Sequence, residues 1–161
     1  MVLGITTYDK IIQQYGAPYS ESTSLTNDQT IETATYAYAS SNGDPAYEGI
    51  TPSRAISFSF SNNVLVSYQL LSSFMSDNTD FDEAKVHNIK KGESNRDKVI
   101  EIMGNPSGIS IYPVVKGTDC KALSYFYFHS RGSSQYSKHL IVTCDKNGIV
   151  SDINLLISGN K

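Results

Sequence analysis

Residues Gly4 to Pro18 align without a gap on residues Gly92 to Pro106, at an offset of 88 positions. Long-period self-similarity constrains a chain strongly, because each copy has to form the same supersecondary unit and the units have to bury one another's faces. The matched segments read GITTYDKIIQQYGAP and GESNRDKVIEIMGNP. Each is punctuated as a short helix. Thr6 or Ser94 stands as N-cap with Asp9 or Asp97 three residues on, the arrangement of a capping box. Gly16 and Gly104 suit the left-handed position after a helix, and Pro18 and Pro106 block continuation. Tyr8, Ile11, Ile12 and Tyr15 form one apolar stripe, as do Val99, Ile100 and Met103, and such a stripe needs a sheet to cover it.

Three strand-like runs follow each helix. Ile31 to Ala39, Ala55 to Phe60 and Val64 to Leu71 in the first copy match Lys121 to Phe128, His139 to Cys144 and Ile149 to Ile157 in the second. Tight polar turns, Ser61-Asn62-Asn63 and Asp145-Lys146-Asn147-Gly148, join the second and third runs of each set, where Asn and Gly supply positive φ. Phe81 to Val86 predicts a further short helix ahead of Gly92. Its counterpart ahead of Gly4 is nearly absent, so the chain is expected to begin part-way through the first unit. The predicted fold class is α+β: two tandem helix-helix-three-strand repeats, residues 1–75 and 80–161, with helices on one face of antiparallel sheets. Ser72 to Asp80 serves as linker. A unit of about 75 residues buries little surface alone, so the two sheets should join or pack side by side.

Composition narrows the function. Thirteen basic and 16 acidic residues leave a net charge of −3, which provides no basic field for nucleic acid or an anionic membrane. Charged residues are 18% of the chain, below the usual quarter or so, and Ser, Thr, Asn and Tyr carry the polarity instead. That balance is common in exported β-rich proteins. No apolar run is long enough to span a membrane, and Met1 to Thr7 lack the charged and apolar regions of a signal peptide. The expected setting is periplasmic, outer-membrane-anchored or secreted, with any signal segment or lipid anchor outside this chain.

The succession of a Gly-x-[Ser/Thr] turn, a capped helix, Gly-x-Pro and three strands resembles the SmpA/OmlA family of small outer-membrane lipoproteins, which includes BamE of the β-barrel assembly machinery. Its duplication resembles the secreted β-lactamase inhibitory proteins, which are two such units. The resemblance covers nearly the whole chain and implies a binding module of the cell envelope.

Strand parity separates a core face from an open one, because successive side chains point to opposite sides. Ile56, Phe58 and Phe60, with Val64, Val66, Tyr68 and Leu70, are assigned to the core. Leu140, Val142 and Cys144, with Ile149, Ile153 and Leu155, are assigned likewise. The same parity places Tyr36, Tyr38, Tyr125 and Tyr127 on the open face, together with Ser57, Ser59, Ser67, Gln69, Thr143, Asp152 and Asn154. Tyr gives large contact area at small entropic cost, and Ser and Asn give adaptable hydrogen bonds, as in a paratope. Tyr can equally serve as an ordinary half-exposed strand residue. Tyr47 and Tyr112 are expected at the tips of the long loops Ser40 to Thr51 and Ile109 to Asp119. A hairpin centred near Gly132 would set Cys120 opposite Cys144, which makes a cross-strand disulfide feasible. Two buried free thiols are the alternative.

Catalytic chemistry finds no constellation. His87, His129 and His139 stand in no nucleophile motif, no His/Cys spacing suits zinc, and no glycine-rich loop cradles a phosphate. Asp77, Asp80, Asp82 and Glu83 lack the order of a calcium loop and read as a solvated linker. No cofactor or metal is expected. The sequence therefore describes a non-catalytic module, monomeric or weakly self-associating, that holds a protein partner through Tyr36, Tyr38, Tyr125, Tyr127, Tyr47, Tyr112, Asp152 and Asn154. The alternatives are a carbohydrate or peptidoglycan binder and a structural scaffold of the envelope.

Overall fold

The computed structural model of the protein describes residues 1–159. Eight strands, β1 (Ser20–Thr26), β2 (Gln29–Ala39), β3 (Ser53–Ser61), β4 (Val64–Ser72), β5 (Gly108–Ile111), β6 (Lys121–Arg131), β7 (Ser134–Cys144) and β8 (Val150–Gly159), form one antiparallel sheet in sequential order. Two helices, α1 (Tyr8–Tyr15) and α2 (Arg96–Met103), and two short 3-10 segments, Met75–Asp77 and Glu83–Asn88, accompany it.

The expected pair of helix-helix-three-strand repeats is thereby corrected. The protein is mostly β, and its strands make a single sheet. β4 pairs with β5 through Ser67↔Ser110, Tyr68↔Ile109 and Gln69↔Gly108, which carries the sheet across the middle of the chain. Each half contributes four strands, and the extra ones, β1 and β5, escape sequence reading for physical reasons. β1 reads SESTSLT, exposed almost throughout, so no buried face marks it as a strand. β5 is only four residues long. No second helix precedes α1 among the described residues, and the segment ahead of α2 is a 3-10 helix.

The repeated motif builds two matching junctions between helix and sheet. The Gly4 amide donates to the Leu65 carbonyl and the Leu65 amide to the Thr6 carbonyl, each at 2.8 Å. In the second half the Gly92 amide donates to the Val150 carbonyl at 2.8 Å and the Val150 amide to that of Ser94 at 2.9 Å. The Thr6 and Ser94 hydroxyls are occupied upstream, accepting from the Val2 and Lys90 amides at 2.9 and 2.8 Å. They therefore do not cap the helices, and the N-caps fall one residue later, at Thr7 and Asn95. Of these only Asn95 caps through its side chain, accepting from the Lys98 amide at 2.8 Å. Gly16 and Gly104 end the helices at φ 77° and 84°, where a side chain would be strained.

Both helices cover the same face. Ile11 of α1 packs with Ala34, Phe58, Phe60 and Leu65, while Val99 of α2 joins Leu123, Tyr125, Leu140, Val142, Cys144 and Val150, with Phe81 and Ile89 from the segment before it. Burying a side chain such as Leu140 or Phe58 stabilises the fold by roughly 1.5–3 kcal/mol.

The register of β6 on β7 overturns two expectations together. The hairpin pairs Arg131 with Ser134 and turns at Gly132-Ser133, so Tyr125 faces Leu140, Tyr127 faces Lys138 and Lys121 faces Cys144. A hairpin centred on Gly132 would be one residue out of step, and such a slip moves a whole strand to the other face. Tyr125 and Tyr127 therefore belong to the helix side, at 3% and 0% exposure. Cys120 lies one residue outside β6 rather than opposite Cys144, and the expected disulfide is absent, both cysteines being free thiols. In the first half Ala34 pairs with Phe58 and Tyr36 with Ile56, so Tyr36 and Tyr38 also share the face of Phe58.

Candidate functional site

With the helices on one side, the other side of the sheet is lined by small hydroxyl-bearing residues in register. Ser22, Thr33, Ser59, Ser67 and Ser110 stand in line from β1 to β5, and the line continues through Ala122 and Thr143 to Asp152. A second line runs Ser20, Thr35, Ser57, Gln69, Gly108, Ser124, Ile141 and Asn154. The hydroxyls bond across the strands, Thr33 with Ser59 and Thr35 with Ser57 at 2.9 Å and Ser67 with Ser110 at 2.7 Å. Such pairs stabilise a sheet modestly. Their chief consequence is a low polar surface on which another molecule can come close to the backbone.

The sheet's middle is held by a denser network. Gln69 donates through Nε2 to the Ser107 hydroxyl at 2.7 Å and accepts at Oε1 from the Ser124 hydroxyl at 2.5 Å. Ser124 Oγ also lies 2.8 Å from His139 Nε2. Because the single hydroxyl proton of Ser124 goes to Gln69, His139 is the donor and carries its proton on Nε2. Burial pulls the His139 imidazole below its ordinary pKa. Ser124 is therefore not activated by His139, since a nucleophile would have to give its proton to the ring. Gly108 is required beside this network, because a Cβ there would lie 2.5 Å from Gln69 Oε1 and 2.6 Å from the Tyr68 carbonyl.

The two halves differ in the next line. In the first half it reads Ala37, Ala55 and Leu71; in the second it reads Phe126, His139 and Leu156. The Phe126 and His139 rings lie 5.1 Å apart, and Leu156 is 62% exposed. Phe128, on the same face of β6, is half-buried. An apolar and aromatic spot thus borders the hydroxyl lines on the second half alone. At the other end the loop after β5 folds back, with Asn27 Nδ2 donating to the Pro113 carbonyl at 2.8 Å, and Val115, Ile31 and Ala122 are buried.

Of the residues singled out from sequence, Asp152 and Asn154 lie on this helix-free face and are exposed. Asp152 also meets Lys91 at 3.3 Å across solvent. The tyrosines are elsewhere. The Tyr125 hydroxyl donates to the Gly104 carbonyl at 2.9 Å, and burial pushes its pKa up to about 12. The Tyr36 hydroxyl makes the equivalent bond to the Gly16 carbonyl at 2.8 Å. These two tie the ends of α2 and α1 to the sheet. Tyr38 is 60% exposed and stacks on Phe74 at 5.9 Å, on the helix side. Tyr112 is half-buried in the loop after β5. Tyr47 is not a free tip, since its ring packs against Tyr127 at 6.0 Å and its hydroxyl donates to Asp80.

Sequence reading passed over Lys138, which sits at the centre of a second constellation. It is 1% exposed, and its Nζ lies 2.6 Å from both Asp80 Oδ1 and Glu83 Oε2. It also donates to the Phe81 carbonyl and lies 4.7 Å from the centre of the Phe81 ring. Burial works against the Lys138 charge, but the two carboxylates outweigh it and hold the pKa above its ordinary value. The Tyr127 hydroxyl beside them is buried without a hydrogen-bond partner. A cleft of about 400 Å³ opens between Tyr47, Asp80, Glu83 and Lys138. The supposed solvated acidic linker is thus partly turned inward. The signal in the sequence was a lysine in the alternating pattern of β7, at a position whose neighbours Tyr136 and Leu140 are core residues.

Compared with family models and with curated proteins, the chain matches none. Among solved structures it is similar to a "putative beta-lactamase inhibitor protein" from Streptococcus mutans, at 18% identity and a TM-score of 0.48, over 94% of this chain and 82% of that one. Among the described residues no group of three or more His, Cys, Asp or Glu is placed to hold a metal ion, and no helix is long and apolar enough to cross a membrane.

Proposed function

We propose that the protein is a non-catalytic binding module that holds a protein partner on the helix-free face of its sheet. The observation that carries this reading is the run of two lines of small and polar residues, rich in hydroxyls, across the eight strands beside the spot formed by Phe126, His139 and Leu156. Small polar side chains permit close approach and adaptable hydrogen bonding, and an aromatic-aliphatic cluster beside them provides the anchor that interface energetics require. Asp152 and Asn154 border the same surface. The low charge content suits an exported setting. The anchors are therefore Phe126 and Leu156 in place of the tyrosines of the helix side and the loops.

The test is capture of partners from an extract of the source organism by the native protein, followed by affinity measurements on variants confirmed folded. Phe126→Ala is expected to weaken a captured partner by about 30-fold or more, corresponding to about 2 kcal/mol for an interface anchor. Thr143→Arg with Asn154→Arg should abolish capture by raising bulk and charge on the face. Loss of capture by Tyr38→Ala, with no effect of the other variants, would move the site to the helix side and overturn the reading.

A further inference from the structure

We propose that Lys138 and Asp80 join as an intramolecular amide, tying the linker after β4 to strand β7, with Glu83 as proton carrier. The juxtaposition is that of reactants. Lys138 Nζ lies 2.6 Å from Asp80 Oδ1 and 2.6 Å from Glu83 Oε2. The Lys138 and Asp80 side chains are 1% and 9% exposed. The Phe81 ring covers the amine at 4.7 Å, and Tyr127, fully buried, stands opposite Lys138 in β6. The Tyr47 hydroxyl donates to Oδ2, the other oxygen of the Asp80 carboxyl.

In water an ammonium and a carboxylate stay apart as hydrated ions. Burial removes that hydration, and fixed contact replaces a bimolecular encounter with an intramolecular one. Glu83 carries a proton from the Lys138 ammonium to Asp80 Oδ1, which leaves a neutral amine beside a neutral carboxyl carbon. The amine attacks that carbon, and charge developing on Oδ2 is met by the Tyr47 hydroxyl. Glu83 accepts the further proton the nitrogen sheds as the C–N bond forms and relays it to the Oδ1 hydroxyl, which departs as water. Ammonium and carboxylate are thus converted to one amide and one water, with no oxidant, reductant or metal, and Glu83 ends as it began. A buried ion pair alone would need only one carboxylate. The second carboxylate and the phenol, both directed at the same pair, are what the condensation requires.

The intact mass of the purified full chain under denaturing conditions decides the matter. It is expected about 18 Da below the mass of the sequence, one water lost to the cross-link. Trypsin should then release a branched peptide joining Ala55–Lys85 to Gly132–Lys146, because an amidated Lys138 resists cleavage. Lys138→Arg and Asp80→Ala should each show full sequence mass. Glu83→Gln, confirmed folded, should emerge largely unlinked and convert roughly 100-fold more slowly or worse, as for loss of a positioned proton carrier. Native protein at full mass after prolonged incubation overturns the proposal whatever the variants do. A light Lys138→Arg protein would overturn the assigned pair, and a fully linked Glu83→Gln protein the role of Glu83.

Discussion

Arg54 and Lys138 hold matching places in the two halves of the sheet. Each is a β-strand cation paired across the ladder with a tyrosine, Arg54 with Tyr38 and Lys138 with Tyr127. Each has an aspartate at 2.6 Å, Asp77 or Asp80, and a phenylalanine ring beneath it, Phe74 at 5.0 Å or Phe81 at 4.7 Å. Their exposure differs. The Arg54 side chain is 42% exposed and that of Lys138 1%. The difference lies in what covers them. The loop between β2 and β3 lays Tyr47 against Tyr127, and Gly49 passes close enough to Arg131 that a Cβ there would lie 2.9 Å from its Nε. One half of the molecule thus lends the other its cover, and no second loop of that kind remains for Arg54. The same local pattern is a surface ion pair in one half and an enclosed lysine–aspartate contact in the other.

The comparison can be broken most sharply at the cations themselves. Lys138→Met removes the cation that meets the buried Asp80 carboxyl and should destabilise the fold by about 3–5 kcal/mol in chemical denaturation. Arg54→Met at the exposed pair should cost no more than about 1 kcal/mol. Equal losses would mean that the covering loop does not set the difference.

A smaller effect is expected at the two tyrosines that hold the helix ends. Tyr125→Phe removes a part-buried bond made by a core tyrosine and should cost about 1–1.5 kcal/mol, whereas Tyr36→Phe removes an exposed one and should cost about 0.5 kcal/mol. Denaturation midpoints measured side by side would show whether the second half depends more on this bond.

The smallest effect concerns His139, whose counterpart in the first half is Ala55. Burial holds its folded pKa below the ordinary 6.5, so as pH falls the unfolded chain takes up the proton first. Its contribution is fully present above about pH 6.5 and is lost as the pH falls below that value toward the folded pKa. His139→Ala should flatten the melting temperature against pH below about 6.5. An unchanged slope would show that the folded protein binds the proton as readily as the unfolded chain.

Much of the chain's local organisation was legible because it rests on local chemistry. Gly16 and Gly104 at positive φ, the tight turns at Asn62-Asn63 and Gly148, and the stripes of α1 and α2 could be read from neighbours in sequence. So could six of the eight strands, which carry alternating apolar residues. β1 could not be read, since its side chains are almost all polar and exposed and the hydrogen bonds to β2 alone make it a strand. The face of the tyrosines was also out of reach. In β6 it turns on whether the hairpin reverses at Gly132 or at Gly132-Ser133, a shift that side-chain pattern alone leaves open when Tyr125 and Tyr127 alternate with Phe126 and Phe128. In β2 the long connection from Ser40 to Pro52 fixes no register at all. Asp152 and Asn154 were placed correctly because β8 follows β7 through a short turn.

By itself, then, the sequence determined the two helices, their apolar stripes and the glycines that end them, because turn formation and periodicity act over a few residues. The tertiary structure alone decided that the halves form one sheet, that the strand tyrosines lie on the helix side of it, and that Lys138 is buried while Arg54 is not. Those outcomes depend on pairings such as Gln69 with Gly108 and on a loop reaching from β2 across to β6. Contacts between residues far apart in the chain are selected by the packing of the whole and leave no periodic trace in it.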